Sequence, residues 1–251
     1  MPFPQFEGKY AGKPMLNAVE GMARRKMEVS AESIVLCYQP SAMEYGVKAF
    51  GGKRIHGFYG EVYSLKRAGD RILMAGNFGI GAPVVAVMLE TMAALGVRKC
   101  ITVGIAGVLR GDIACGEIMI ARAAIRDEGT SHHYAPSDQK ARASLRLSAR
   151  LKQQLGCREI QARSGVVWTT DAPYRETVEE VRHYQQAGVM AVEMEAAALF
   201  IVSAALGMEA ACGLVAADSL ADGVWKPITD SGAVKRSLQG LVDASVEALL
   251  A

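Results

Sequence analysis

Apolar positions along the chain fall into short runs separated by longer segments with helical spacing. Runs of strand length lie at 33–37, 71–75, 99–103, 117–123, 160–167, 189–194 and 210–217. Segments with apolar residues three and four apart lie at 83–95, 140–155, 177–186, 195–206 and 233–250. Strands alternating with helices predict an α/β fold with a mainly parallel sheet covered on both faces. The additional strand-rich stretch in the first half makes that sheet mixed. Ligands in such folds gather where loops leave the carboxyl ends of strands, so the strand-to-helix joints carry the functional reading.

Length and composition narrow the picture. The 251 residues fit one domain, 1–251, better than two small ones, and 51% apolar residues suffice for a full core. The formal net charge is +2 with basic residues dispersed, so no nucleic-acid surface is expected. The longest suitable uncharged run, 196–208, falls short of the about 20 residues a membrane span needs. Residues 1–10 lack a basic start followed by an apolar block, so no secretion signal is expected. The five cysteines (37, 100, 115, 157, 212) form no CxxC pair. They fit buried thiols in a reducing cytoplasm rather than a zinc site or a disulfide framework. No metal or cofactor is expected, and the low-charge surface suggests an assembly of copies.

Four joints hold the candidate chemistry. Gly76-Asn77-Phe78-Gly79-Ile80-Gly81-Ala82-Pro83 can turn tightly and bring N–H groups to an anion, or simply pack a helix closely on a strand. It is not a dinucleotide fingerprint: Val84 takes the third glycine place, and the next strand ends without an acidic ribose partner. Val103-Gly104-Ile105-Ala106-Gly107-Val108 repeats the pattern after another strand. In Val192-Glu193-Met194-Glu195 an extended backbone places both glutamates on one side and Met194 on the other. Acids at a buried strand end are costly unless used, and a carboxylate suits vicinal sugar hydroxyls, although the helix dipole alone favours acids there. Asp218, ending the run 210–217, belongs at the edge of the same crevice or serves as a helix cap.

Together these blocks resemble the purine nucleoside and uridine phosphorylase family across roughly residues 71–222. The match comprises Gly79–Pro83, Gly104–Gly107, the block 126–134, Thr169-Thr170-Asp171-Ala172-Pro173-Tyr174 and Val192–Ala197, with Asp218 following. The resemblance implies a single α/β domain with a mixed, mostly parallel barrel-like sheet flanked by helices, assembled as a homo-oligomer (dimer, trimer or hexamer). It implies cleavage of a nucleoside's N-glycosidic bond, with phosphate as co-substrate, to free base and ribose 1-phosphate. Glu195 looks like the ribose-hydroxyl carboxylate, Met194 like the side chain packed on the sugar, and Glu193 like the supporting acid. Asp218 looks like the acid that protonates N7 of a departing purine. Thr170 belongs to the base site, and Pro173 replaces a stacking aromatic, so Trp168 or Tyr174 takes over stacking. Pyrimidine-specific members carry Gln-x-Arg where this chain has Thr177-Val178-Glu179, which leans the reading toward a purine-type base.

The phosphate side departs from the family. Cys37-Tyr38-Gln39-Pro40-Ser41 replaces an arginine-bearing loop, Thr102 stands at a second arginine's position and Ile105 at a phosphate-binding hydroxyl's. Gly79 remains, and Lys53, Arg54 or Arg126 are the replacements at hand. Each lost charge-assisted bond costs roughly 1.5–3 kcal/mol. Water is therefore the rival nucleophile, as in the family's nucleosidases. A non-catalytic nucleoside binder is a third reading, disfavoured by the joint presence of Glu195 and Asp218. The adjacent His132 and His133, pointing apart in a strand, receive no catalytic role.

Overall fold

The computed structural model describes residues 4, 6 and 9–251. The secretion-signal reading of residues 1–10 falls largely outside that set. The chain runs α1 (Ala18–Arg24), β1 (Ser33–Cys37), α2 (Pro40–Phe50), β2 (Gly52–Ile55), β3 (Glu61–Leu65), β4 (Ile72–Gly76) and α3 (Ala82–Ala94). It continues through β5 (Lys99–Val108), β6 (Ile118–Asp127), β7 (Ala141–Arg142), α4 (Leu145–Cys157), β8 (Ala162–Thr170) and α5 (Val178–Gln186). It ends with β9 (Ala191–Glu193), α6 (Ala196–Ala205), β10 (Glu209–Ser219) and α7 (Ser231–Leu250).

The ten strands among the described residues belong to one mixed sheet. β5, β9, β8, β6 and β10 close on themselves because β10 also pairs with β5, while β1, β4, β3 and β2 extend outward as a wing. The long strand β5 makes this possible. One edge pairs with β10 along nearly its whole length; the other pairs with β1 through Val103 and with β9 from Gly107. Between those partners the edge of β5 is unpaired, and the sheet forks there. A fork of this kind is a topological switch point, where open α/β sheets bind their ligands.

Helices cover both faces. α3 and α6 pack one face through residues such as Leu89, Leu199 and Phe200, and α4 and α7 pack the other through Leu151, Leu155 and Leu241. Each residue of α6 from Ala196 to Ser203 is buried, which explains why its sequence is apolar all round. Among the described residues no helix is long and apolar enough to cross a membrane.

The predicted helix 140–155 starts later than its pattern suggests. Ala141 and Arg142 pair with β6, and the Ser144 side chain caps the helix by accepting from Leu147 N–H at 3.2 Å. Pairing to a neighbouring strand outweighs local helical spacing. α1, α2 and the hairpin β2–β3 have no counterpart among the apolar runs. α2 carries its own signals, Pro40 in the first turn and Gly51 in the left-handed region at its end.

Candidate active site at the fork of the sheet

A cleft of about 640 Å³ opens at the fork, a size suited to a small-molecule ligand. Its floor is the unpaired edge of β5, Ile105 to Gly107. One wall is Tyr38 and Gln39 at the end of β1, another the β9–α6 joint, and a third the end of β10 with Asp218 and Leu220.

At the β9–α6 joint the two glutamates have divided their tasks. The strand stops at Glu193, and Glu195 takes up φ −136, ψ −30 at the helix start. The extended alternation expected for 193–195 therefore does not continue through it, and Glu193, Met194 and Glu195 all border the cleft. Glu193 accepts from the N–H groups of Glu195 (2.9 Å) and Ala196 (2.7 Å) and from the Thr169 hydroxyl. It thus satisfies the orphan donors that open α6. Thr169 in turn accepts from Ala197 N–H at 3.0 Å. Glu195 instead reaches the turn before α3, where its Oε1 accepts from Gly81 N–H at 2.5 Å.

Both carboxyls are buried, and burial pushes both upward from the usual carboxylate range. For Glu193 the bonds from Thr169, Glu195 and Ala196 oppose that shift. For Glu195 the charge of Glu193 adds to it and the Gly81 N–H opposes it.

After β10, Asp218 Oδ2 accepts from the Trp225 indole N–H at 2.8 Å. A Cβ on Gly107 would stand 3.3 Å from that oxygen and 2.8 Å from Leu220 Cδ1, so a side chain there would have to push the Leu220 methyl aside. Glu176, between a short 3-10 turn and α5, brings a further carboxyl to the cleft. Burial, then the negative charges of Asp218 and Glu180, raise it to about 7. Sequence reading missed Tyr38, Glu176 and Trp225. They lie in irregular segments or next to them; Tyr38 stands in the loop 37–41 and Glu176 follows the block 169–174, both singled out in the sequence, but neither residue received a role.

Several predicted residues stand elsewhere. Trp168 is 1% exposed, donates its indole N–H to Asp127 at 2.9 Å and packs against Tyr184, so it cannot stack on a base in the cleft. Thr170 accepts from Ala172 N–H at 3.2 Å, stabilising a turn outside the cleft lining. Tyr174, by contrast, lies on the lining and is fully exposed. Ile105 lines the floor, whereas Thr102 is buried within β5 and Gly79, at φ 90, only shapes the loop that presents Ile80.

Neither predicted arginine reaches the cleft lining. Arg54 pairs with Glu61 at 3.2 Å. Arg126 donates to the Ser131 hydroxyl and to the carbonyls of Ala135, Pro136 and Gln139 at 2.5–2.9 Å, bracing the 131–139 loop. His132 and His133 belong to a 3-10 turn rather than a strand. Among the described lining residues there are four carboxyls (Glu176, Glu193, Glu195 and Asp218) and no Lys, Arg or His. Such a lining offers an anion no charged donor.

Comparison with known proteins places these features in context. The family model described as the phosphorylase superfamily matches residues 41–250. A purine nucleoside phosphorylase from Alkaliphilus metalliredigens is 30% identical over 195 residues, covering 77% of this chain and 81% of its own. A uridine phosphorylase from Haemophilus influenzae is 31% identical over 152 residues, spanning 55% of this chain and only 60% of its own. The crystal structure of uridine phosphorylase from Vibrio fischeri superposes with a TM-score of 0.78 at 26% identity, covering 88% of this chain and 92% of that one.

Proposed function

As the chain belongs to the phosphorylase superfamily, we propose that it releases the base of a purine-type nucleoside by cleaving the N-glycosidic bond. The observation that carries this reading is one cleft whose lining brings Glu195 and Met194 together with Asp218. As the bond breaks, positive charge grows on the sugar and an electron pair leaves with the base nitrogen. Glu195, held by Gly81, accepts from the ribose hydroxyls and favours the cationic sugar. Met194 packs on the sugar. Asp218, oriented by Trp225, delivers a proton to N7 of the leaving base. A placed acid contributes typically about 10²–10⁴-fold, and fixing the ribose adds to that through positioning.

For the nucleophile the cleft of this chain favours water, because no cation among the described lining residues is there to hold a phosphate dianion. Water adds through oxygen to the anomeric carbon as the bond to the base nitrogen breaks, and the proton it loses replaces the one Asp218 delivered, leaving free base and free ribose. Phosphate is the second reading. Relatives carrying the name phosphorylase favour it, and it requires cations from beyond this lining, such as a neighbouring copy's. Assembly of copies belongs to the same proposal: α1 buries none of its residues, and Met15 and Leu16 before it are fully exposed. Free cysteines fit a cytoplasmic setting.

The test is release of free base from inosine, adenosine, uridine and methylthioadenosine, with and without phosphate. Phosphate-independent release from the purine nucleosides is expected. Release only with phosphate would assign the acceptor to phosphate, and silence with every substrate would leave a nucleoside binder. An Asp218→Asn variant with undiminished turnover would remove the acid from the mechanism.

A further inference from the structure

Met190, the residue before β9, lines a second cavity of about 480 Å³ whose lining shares no residue with the cleft. Four cations reach it from four separate segments: Arg110 after β5, Arg122 on β6, Lys152 on α4 and Arg163 on β8. Among the described lining residues none is acidic. Ser164 adds a hydroxyl, and the buried side chains of Met190 and Ile113 add an apolar surface.

The four cations fall into two pairs. Arg110 and Arg163 are held by carboxylates beside the cavity. Arg110 donates from Nε and Nη2 to the two Asp112 oxygens, both at 2.9 Å. Arg163 donates to Glu117 at 2.8 Å, to the Asp112 carboxylate at 2.9 Å and to the Asp112 carbonyl at 2.6 Å. Arg122 and Lys152 differ: among the described residues neither side chain has a hydrogen bond or an ion pair. Two carboxyls thus stand against four cations.

The backbone itself delivers Arg122. β6 and β8 pair at Ala121 with Gly165 and next at Ala123 with Val166, so Arg122 is the extra residue of a bulge. A bulge interrupts the ladder and re-aims the side chain it carries. Here it aims an unpaired guanidinium into a cavity that three other cations already line. Like charges gathered in this way repel unless an anion lies among them.

We propose that this cavity is a binding site for a small phosphate monoester, its phosphoryl group held by Arg122 and Lys152 and its organic part against Met190 and Ile113. A phosphate monoester carries close to two negative charges at neutral pH on three acceptor oxygens, which matches the two unpaired cations. Arginine pairs with such a group through two parallel bonds, and lysine meets it as a point charge. Arg110 and Arg163, fixed in advance by Asp112 and Glu117, add positive potential with little further ordering. The site is independent of the reaction proposed for the cleft.

The experiment is calorimetric titration of glycerol 3-phosphate into the wild-type protein and into Arg122→Ala and Lys152→Ala, at about 0.15 M salt so that distant charges are screened. Succinate, which spreads its two charges over separate carboxylates, is the control ligand. The wild type is expected to bind one equivalent of glycerol 3-phosphate per chain, and succinate at least about tenfold more weakly. Each substitution is expected to weaken glycerol 3-phosphate at least about tenfold, the scale of one lost charge-assisted bond. Both side chains are exposed, so the variants should fold; should circular dichroism show that one does not, Arg122→Gln or Lys152→Gln replaces it with the same expected loss. Absence of saturable binding to the wild type, succinate binding as tightly as the ester, or unchanged affinity in the variants would each overturn the proposal. None of these results depends on turnover, so the proposed function stands or falls separately.

Discussion

The Gly81 N–H donates to Glu195 Oε1 across 2.5 Å, joining two strand-to-helix turns that stand 114 residues apart in the chain. A glycine-rich turn that could have cradled an anion is thereby bound to one of the protein's own. Gly81 has φ 98 and ψ 162, a conformation a side chain strains, although a Cβ there would meet nothing closer than 3.8 Å.

Gly81→Ala therefore tests conformation rather than crowding. Strain of about 1–3 kcal/mol is expected, lowering the melting temperature by roughly 2–10 °C in a domain of this size. Because the turn moves with Glu195, affinity for a nucleoside should weaken in parallel. Calorimetric melting together with titration of adenosine checks both, and unchanged affinity would separate the turn from the sugar site.

The two glutamates should respond in opposite ways. Glu193→Ala strands the N–H groups of Glu195 and Ala196 and the Thr169 hydroxyl, each costing about 1–3 kcal/mol when buried without a partner. A large loss of stability in urea denaturation is expected. Glu195→Gln keeps an oxygen for Gly81 and removes a charge that burial and Glu193 both oppose. Its stability should hold or rise, while base release falls by about 10²-fold or more with the lost charged acceptor.

Arg126→Ala separates bracing from anion binding. Its four bonds hold the 131–139 loop, so a loss of about 2–4 kcal/mol is expected from neighbouring carbonyls losing a charged donor. Response to added phosphate should not change. A stable variant that loses a phosphate response would return this arginine to the acceptor site.

Glu176 links stability to pH. Its folded value is raised from 4.5 to about 7, so the folded protein holds this proton more tightly than the unfolded chain does. Stability is therefore lost as pH rises through that window, and none of this loss applies below the unfolded value. Glu176→Gln removes the effect. The variant's melting temperature relative to wild type should be higher at pH 8 than at pH 5; an equal difference at both would show that this carboxyl is solvated and free.

Much of the architecture was legible because periodicity reports burial. The runs that became β1, β4, β5, β6, β8, β9 and β10 are apolar for the reason that both faces of the sheet are covered. The acids at 193, 195 and 218 stood out because charge ending an apolar run needs an explanation. The segments at 52–55 and 61–65 alternate weakly on a partly exposed wing, and their pairing comes from neighbouring strands rather than their own composition. Trp168 and Arg126 belong to matched blocks, yet β8 turns the indole toward Asp127 and the loop captures the guanidinium. Residue identity does not disclose such directions.

By itself the sequence determined the α/β alternation, the family pattern and the acids that end its strands, since these follow from local spacing and chemical type. Only the tertiary structure decided which acids cap a helix, which face the cleft, and that Glu176 joins Asp218 there. Those outcomes depend on the fork of β5, where residues distant in the chain meet and compete for the same donors, and no local pattern records that competition.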